Sequence, residues 1–320
     1  MSLHPAVAAV RRGVREVLEE LEPGDTVLVA CSGGADSLAL LSAAVFEGRK
    51  AAVRVVGTTI DHGLQEGSAE HARRVVEQMA GLGADETASA RVQVSGAGEG
   101  PEAAARRARY DVLEQMRQHF GAALVLLGHT RDDQAETVLL GLTRGSGARS
   151  LAGMRRSFDH YARPLLDVSR DDTVTACQVE GIDFWEDPHN DDPGYTRVRV
   201  RRTVLPVLEE ELGPGVAEAL ARTADQLRED VTFLDETAEA EFWSLEELDV
   251  ADYPKALATR ILRIAAIEAG ATDSELFHVH VERLFALATG RIQGEIQLPG
   301  RVTAYREGRS VEFRPTAVTS

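Results

Sequence analysis

The chain has 320 residues, of which 43% are hydrophobic and 27% are charged, and its formal net charge is −17. This length allows two domains, and the composition is that of a globular protein with a buried core. No apolar run reaches the roughly 18 residues that a membrane helix needs, and the N-terminus has no hydrophobic signal-peptide core. Two cysteines exclude a disulfide framework and a zinc or iron–sulfur ligand set. We therefore expect a cytoplasmic protein without membrane contact.

The first part of the chain alternates between short β-rich runs and amphipathic helical stretches. The predicted strands are 26–30, 53–59, 91–94 and 123–127, and the predicted helices are 36–47, 68–80, 101–119 and 132–143. This alternation predicts βαβ units and an α/β fold with a doubly wound, mainly parallel sheet. The strand-to-helix loops then share one edge of the sheet, where ligands bind. The loops predicted to meet there are SGGADS, TTIDHG, SGAGEGPE and GHTRDD.

The strand–helix alternation weakens after about residue 150, and the chain becomes mainly helical after residue 206. Helical stretches are predicted at 169–180, 217–243, 254–269 and 274–289, and a hairpin is predicted around Glu307 and Gly308. The acidic excess is concentrated in this later part. We predict a domain at 1–205 and a second, mainly helical C-terminal domain at 206–320.

The segment SGGADS, residues 32–37, lies where the first predicted strand passes into a helix. Gly33 and Gly34 allow the backbone amides to turn inward, and the helix start adds unpaired N–H groups and a positive dipole end. Such groups suit a phosphate. Asp36 would repel a bare phosphate, so its presence indicates a bridging Mg²⁺. The alternative is a turn capped by Ser32 or Asp36.

The segment GHTRDDQAET, residues 128–137, follows the fourth predicted strand. Asp132 and Asp133 lie in the first turn of a predicted helix, and Glu136 lies on the same face. Together with His129, these carboxylates suit a metal ion or an ammonium group. The alternative is an acidic helix start with an ordinary cap, although no basic residue balances it at helical spacing.

Three groups of arginines are candidates for binding phosphate. Arg106 and Arg109 form a fork on a predicted helix, and Arg144 begins the glycine-rich segment RGSGARS. The third group alternates along the chain, and in an extended conformation it would form a basic stripe for a nucleic-acid backbone. The members of this stripe are Arg197, Arg199, Arg201 and Arg202. The alternatives are a solvated helix face, a helix C-cap and edge-strand charge, respectively.

Several segments occur together, in order, in one known family. They are SGGADS, DHGLQEGSAEHA, EAAARRARY, GHTRDDQAETVLLGLTRGSG, RPLL and WEDPHNDDPGYTRVRVRRTVLPVLE. Over roughly residues 25–210 the chain resembles the bacterial tRNA(Ile)-lysidine synthetases, which are PP-loop ATP pyrophosphatases. The resemblance implies a PP-loop fold of the adenine nucleotide hydrolase type for the domain at 1–205.

The resemblance also implies an activity. The expected reaction is the ATP-dependent ligation of L-lysine to the wobble cytidine of the CAU anticodon of tRNA(Ile). ATP adenylates the ring carbonyl oxygen of the cytidine with release of pyrophosphate, and the side-chain amine of lysine then displaces AMP to give lysidine. This ligase would use ATP as co-substrate together with Mg²⁺. The family often forms homodimers, although the sequence does not determine the oligomeric state of this chain. The domain at 206–320 is the candidate for tRNA and dimer contacts.

The resemblance assigns roles to residues in this numbering. The ATP-binding residues would be Ser32, Gly33, Gly34, Asp36 and Ser37. The catalytic residues would be Asp36, His129, Asp132, Asp133 and Glu136. Among them, Asp36 would bind the metal, and Asp133 and Glu136 would bind lysine. The residues that meet tRNA phosphates or the adenylated intermediate would be Arg106, Arg109, Arg144, Arg197, Arg199 and Arg201.

Two positions depart from the family pattern, and two kinds of alternative function remain. The family usually has Arg at the position of Gln65 and Asn at that of Val198, so a positive contact and a hydrogen bond are missing there. Another PP-loop enzyme that modifies tRNA or forms an amide is one alternative, although tRNA thiolation commonly needs CxxC pairs. A non-catalytic nucleotide- or tRNA-binding module is the other alternative.

Overall fold

The computed structural model of the chain describes residues 3–61, 67–92, 101–144, 147–187 and 192–316, without the side chains of 101–105 and 144. Gln65, the end of the TTIDHG loop, most of the SGAGEGPE loop and the first glycine of RGSGARS lie outside these ranges. The chain forms two compact units, which are described separately. The first comprises Met1–Arg144 and Gly153–Ala224, and the second comprises Gly145–Ala152 and Asp225–Ser320. The functional division at residue 206 stays a prediction.

The first unit contains a six-stranded sheet. Its strands are β1 (Thr26–Ala30), β2 (Arg54–Asp61), β3 (Glu86–Arg91), β4 (Leu124–Leu127), β5 (Ser157–Phe158) and β6 (Tyr161–Ala162). The strand order is β3-β2-β1-β4-β6-β5, and every pair is parallel except β5 with β6. The predicted mainly parallel sheet is therefore confirmed. The order reverses at β1, which has β2 on one side and β4 on the other, and this is the switch point where open sheets bind ligands.

The third strand was predicted at 91–94, of which 93–94 lie outside the described ranges, and the structure places this strand earlier in the chain. β3 runs over Glu86–Arg91 and pairs with β2 from Val56 to Asp61. Its side chains are half-buried or exposed because β3 lies at the sheet edge. No continuous apolar run therefore marks β3 in the sequence.

The helices follow the chain in this order. They are α1 (Pro5–Leu18), α2 (Ala35–Ala51), α3 (Ser68–Gly81), α4 (Pro101–Phe120), α5 (Arg131–Arg144), α6 (Ala148–Leu151), α7 (Arg170–Glu180), α8 (Thr196–Arg199), α9 (Leu205–Leu212), α10 (Val216–Ser244), α11 (Lys255–Glu268) and α12 (His278–Ala288). A π-helical turn, Val200–Val204, joins α8 to α9. Within the described ranges, no helix has the length and apolar content to cross a membrane.

Helices cover both faces of the large sheet. Val27 and Val29 of β1 belong to a core with residues of α1, α2, α3 and α7, whereas Leu28 between them belongs to a second core with Leu113 and Met116 of α4. Successive strand residues point to opposite faces, so a strand this apolar is buried on both sides. The sheet is therefore doubly wound, as predicted.

The second unit combines helices with a small antiparallel sheet. Its strands are β7 (Glu295–Leu298), β8 (Val302–Glu307) and β9 (Ser310–Pro315), in the order β7-β8-β9. The predicted hairpin around Glu307 and Gly308 is the β8–β9 connection, and β7 is a third strand that the sequence pattern did not predict. A core that includes Ile261, Leu284 and Ile296 joins α11, α12 and the sheet.

Candidate active site

The loop of residues 32–34 leaves the carboxyl end of β1 at the switch point. The Cys31 N–H donates to the Thr58 carbonyl at 2.7 Å and extends the β1–β2 pairing up to the loop. Gly33 has φ +87°, which favours glycine, and a Cβ there would lie 2.7 Å from Cγ2 of Val75. Gly33 is therefore required both by the turn and by the close approach of α3.

No side chain caps the start of α2. Its N-cap is Gly34, without a side-chain hydrogen bond, so the alternative of a turn capped by Ser32 or Asp36 is wrong. The Ser37 side chain instead stabilises the loop through two hydrogen bonds. Its Oγ accepts from the Ser32 N–H at 3.1 Å and donates to the Gly34 carbonyl at 2.9 Å. The first-turn amides of α2 and its positive dipole end are thus suited to an anion.

A cavity of about 800 Å³ opens at this edge of the sheet. The predicted site residues that line it are Ser32, Gly34, Asp36, Ser37, Arg109, His129, Asp133 and Arg201. Six others lie outside its described lining, namely Gly33, Arg106, Asp132, Glu136, Arg197 and Arg199. The side chain of Arg144 is not described. Apolar wall is supplied by Ile60, Leu113, Leu127 and Phe184.

Asp36 is the first carboxylate of α2 and is partly buried in this cavity. Thr173 Oγ1 donates to its Oδ1, and Arg170 Nη2 lies 3.4 Å from its Oδ2. Burial raises the pKa of Asp36 above its ordinary value, although Arg170 and Thr173 act in the opposite direction. A Cβ on Gly128 would lie 3.3 Å from the Asp36 backbone, so the absent side chain lets the β4–α5 turn approach α2.

Asp133, on the first turn of α5, lines the same cavity as Asp36. Its Oδ2 accepts from the N–H of Thr130 at 2.9 Å and from the hydroxyl at 3.1 Å, and its Oδ1 lies 3.1 Å from Arg170 and 3.2 Å from Arg201. Burial would raise the pKa of Asp133, but Arg170 and the Thr130 N–H outweigh burial and keep this pKa below its ordinary value. Asp133 is therefore ionised at neutral pH.

Glu136 lies one turn further along α5 and is fully buried. Arg197 Nε donates to its Oε2 at 2.8 Å, and Arg201 Nε donates to its Oε1. These two arginines supply the balancing charge that helical spacing within α5 does not provide.

The expectation that residues 197–202 form an extended basic stripe is wrong, and so is the edge-strand alternative. The segment is helical through α8 and the π-helical turn. Arg197 and Arg201, four residues apart, converge on Glu136 because a buried carboxylate needs cationic partners. Arg199 points elsewhere and donates to the carbonyls of Pro193 at 2.7 Å and Gly194 at 3.1 Å.

His129 and Asp132 flank this cluster. Arg163 Nε donates to His129 Nδ1 at 3.3 Å, and burial lowers the pKa of His129 to about 4, so the ring is neutral at neutral pH. Asp132 Oδ2 accepts from the backbone N–H of Arg170 at 2.8 Å. Asp132 therefore joins α5 to the start of α7 rather than lining the cavity.

Several residues at the site were not predicted from the sequence. They are His71, Arg163, Arg170, Thr173 and Trp185. His71, Arg163 and Trp185 belong to segments quoted for the family resemblance, but none of them had an assigned role. Arg170 offered one signal, because a basic residue in the first turn of a helix opposes the helix dipole. Its contacts with Asp36 and Asp133 account for that placement.

Known proteins resemble this chain in fold and in sequence. The PP-loop domain family matches residues 7–208. The fold is similar to that of the U34-tRNA thiolase NcsA from Methanococcus maripaludis with its [4Fe-4S] cluster, with a TM-score of 0.59 and 17% identity over 70% of this chain and 80% of that one. At this identity the likeness concerns the fold alone. The fold and the glycine loop thus define an ATP-using protein of the PP-loop class.

Relatives with similar sequences identify the family within the PP-loop class. The tRNA(Ile)-lysidine synthase of Streptomyces coelicolor is 48% identical, with 98% of this chain and 99% of that protein covered. The tRNA(Ile)-lysidine synthase of Thermobifida fusca is 51% identical, with 92% and 94% covered. The chain belongs to the tRNA(Ile)-lysidine synthase family, as the order of its motifs predicts.

Proposed function

We propose that this protein ligates L-lysine to the wobble cytidine of the CAU anticodon of tRNA(Ile), with ATP as co-substrate and lysidine, AMP and pyrophosphate as products. One observation carries the proposal: an uncapped glycine loop and two carboxylates, Asp36 and Asp133, line the same cavity. The loop suits the phosphates of ATP, and the ionised Asp133 suits the ammonium group of lysine. Both substrates would thus meet in one site.

The first step would use the loop and Asp36. The carbonyl oxygen on C2 of the cytosine ring attacks the α-phosphate of ATP, and the bond between this phosphate and pyrophosphate breaks. The amides of Gly33 and Gly34, the first turn of α2 and Ser37 would hold the leaving pyrophosphate. Asp36 would hold Mg²⁺, whose charge offsets the negative charge on the phosphates when it is bound.

The donor set of the chain fits a magnesium ion held partly by phosphate. Among the described residues, no group of three or more His, Cys, Asp or Glu side chains is arranged as a metal site. Mg²⁺ is commonly bound through one or two carboxylates together with substrate phosphates. Asp36 beside the anion site supplies one such carboxylate.

The second step would use Asp133. Asp133 would orient the lysine ammonium and take up its proton. The free amine then attacks C2 of the cytidine, and AMP leaves with the former carbonyl oxygen of C2. Arg109 and Arg201, which also line the cavity, suit the phosphate of the adenylated intermediate. Both carboxylates already have partners: Thr130, Arg170 and Arg201 for Asp133, and Arg197 and Arg201 for Glu136. The lysine ammonium would therefore replace an arginine at either carboxylate.

The remaining roles concern the nucleotide and tRNA. Asp132 and the neutral His129 would lie on the nucleotide side of the site. Arg106 and Arg144 would meet tRNA phosphates directly. Arg197 and Arg199 would do so only by giving up their present partners, which are Glu136 and backbone carbonyls, respectively. The domain at 206–320 would contribute tRNA and dimer contacts, and the enzyme would act in the cytoplasm as a homodimer.

Lysine transfer is the direct test of this function. Purified protein is incubated with ATP, Mg²⁺, labelled lysine and a tRNA(Ile) transcript carrying CAU, and a transcript with U at the wobble position is the matched control. We expect label only on the CAU transcript and only with ATP. Absence of label on a transcript that a related synthase modifies would reject the proposal.

The metal role of Asp36 is tested by Asp36→Asn, which keeps the acceptor for Thr173 and removes the charge. We expect ATP-dependent lysine transfer to fall by at least ~100-fold because the metal no longer offsets phosphate charge. The melting temperature should stay near that of the wild type. A variant that kept the wild-type rate would refute the magnesium assignment.

A further inference from the structure

Two carbonyl groups of the glycine loop accept hydrogen bonds from residues outside the loop. Ser32 O accepts a hydrogen bond from His71 Nε2 at 2.9 Å, and Gly33 O accepts from the Trp185 N–H at 2.9 Å. Both peptide bonds are trans, so each carbonyl points opposite to the N–H of the next residue. The amides of Gly33 and Gly34 therefore point away from His71 and Trp185. No described protein group accepts a hydrogen bond from either amide.

One face of α3 supports this arrangement. His71, Val75 and Gln78 lie at i, i+4 and i+7 and so share a helix face. The His71 ring contacts the Trp185 ring with centroids 4.1 Å apart, Val75 packs against Gly33, and Gln78 Nε2 donates to the Asp183 carbonyl at 2.9 Å. α3 thus holds both the loop and the segment that carries Trp185.

We propose that His71, supported by Trp185, is a positioning residue that keeps the amides of Gly33 and Gly34 directed at the phosphates of the nucleotide. The proposal rests on the proposed function insofar as the loop holds ATP. It adds a residue of α3 whose side chain lies behind the loop and outside the cavity lining.

A glycine loop needs such support. Glycine adopts positive and negative φ with similar ease, so the Ser32–Gly33 peptide is able to rotate when its carbonyl is free. Rotation would direct a carbonyl, in place of an N–H, toward the phosphate. The apparent affinity for the nucleotide is proportional to the fraction of molecules whose loop is in the binding arrangement, so rotation of the peptide would weaken binding. A hydrogen bond to Ser32 O raises this fraction before ATP binds.

Two substitutions separate the hydrogen bond from simple packing. His71→Phe keeps a ring against Trp185 and removes the donor, whereas His71→Gln keeps an N–H donor and removes the ring. His119→Phe, on α4 and in contact with Phe120, is the matched control. The intact chain is used throughout, and the dissociation constants of Mg·ATP and of pyrophosphate are measured by calorimetry alongside KM for ATP, KM for lysine and the melting temperature.

We expect His71→Phe to weaken Mg·ATP and pyrophosphate binding by about tenfold and to raise KM for ATP to match, since one hydrogen bond is lost. KM for lysine and the melting temperature should not change, and His71→Gln should stay close to the wild type. Unchanged binding in His71→Phe would overturn the proposal. Equal defects in both variants, or a lowered melting temperature with both KM values raised, would also overturn it.

The binding measurements test the role of His71 independently of the proposed lysine-transfer activity. A wild-type chain that binds Mg·ATP without modifying tRNA would refute the proposed function and leave the role of His71 testable by calorimetry. A wild-type chain that binds neither Mg·ATP nor pyrophosphate would overturn both.

Discussion

Arg197 and Arg201 lie more than sixty positions from Glu136 in sequence, yet both donate to its carboxylate. The Glu136 side chain is fully buried, whereas those of Arg197 and Arg201 are 38% and 24% exposed. Arg201 and Arg170 also contact Asp133, so the charges of α5 and of the arginines around it neutralise one another. At the scale of single residues, the site is a network of ion pairs in which Asp36, Asp133 and Glu136 depend on arginines from other elements.

Glu136→Gln should therefore lower the free energy of unfolding by about 3 kcal/mol, because it leaves Arg197 without its buried counter-charge and Arg201 with Asp133 as its remaining carboxylate partner. Urea denaturation measures the change. The matched control is Glu218→Gln in α10, whose ion pair with Arg222 is exposed and spaced i,i+4; its cost should stay below ~0.5 kcal/mol. Similar losses in the two variants would contradict this account of Glu136.

His129 should make stability depend on pH. Its pKa is about 4 in the folded chain, against about 6.5 ordinarily, so between these values the unfolded chain binds a proton that the folded chain does not. Stability should fall as pH decreases from 6.5 to 4, with a contribution of up to about 1.4 kcal/mol per pH unit, and this contribution is constant above pH 6.5. Denaturation of His129→Asn across this range should give a shallower slope, and parallel curves would show that His129 does not contribute.

At the scale of elements, close backbone approaches position the segments around the site. A Cβ on Gly13 of α1 would lie 2.2 Å from the carbonyl oxygen of Pro164, in the segment that follows β6 and carries Arg163. The oxygen belongs to the backbone, so α1 or the Pro164 segment would have to move. The absence of a side chain at Gly13 thus allows α1 to pack directly on this segment.

Gly13→Ala should therefore destabilise the fold by about 2 kcal/mol through overpacking, although alanine is the better helix former. Gly81→Ala, at the end of α3, is the control, because its Cβ would meet no atom within 4 Å and its φ is not positive. It should stabilise the chain by about 0.5 kcal/mol. Thermal denaturation compares the two, and stabilisation by both would contradict the close packing at Gly13.

At the scale of the whole molecule, a chain with a net charge of −17 is proposed to bind a polyanion. Arg197 and Arg201 are engaged with Glu136, and Arg199 is engaged with backbone carbonyls. Arg106 is exposed and lies against the Tyr110 ring and hydroxyl. Because the interior ion pairs use part of the positive charge, we expect few phosphate contacts and a modest salt dependence of tRNA affinity.

Arg106→Gln should weaken tRNA binding and reduce the magnitude of the slope of log K against log salt concentration by about one, as expected for one lost phosphate contact. The melting temperature should not change. Arg197→Gln is the contrasting variant, since it leaves Glu136 with one cation fewer and should lower the melting temperature. An unchanged slope in Arg106→Gln would remove Arg106 from the tRNA contacts.

The sequence by itself determined the doubly wound sheet, the helices α2 to α5, the glycine loop and the family. Hydrophobic periodicity and the torsional freedom of Gly33 are local properties, so they are visible along the chain. The edge strand β3 was misplaced because a half-exposed strand has no continuous apolar run.

Only the tertiary structure decided how the charges of the site are paired. The helical course of residues 196–204 and the engagement of Glu136 by Arg197 and Arg201 depend on contacts between residues far apart in the chain. The same holds for Arg170 between Asp36 and Asp133, and for His71 behind the loop. Such contacts arise because buried charges and carbonyl groups require partners, and the fold alone determines which partners are within reach.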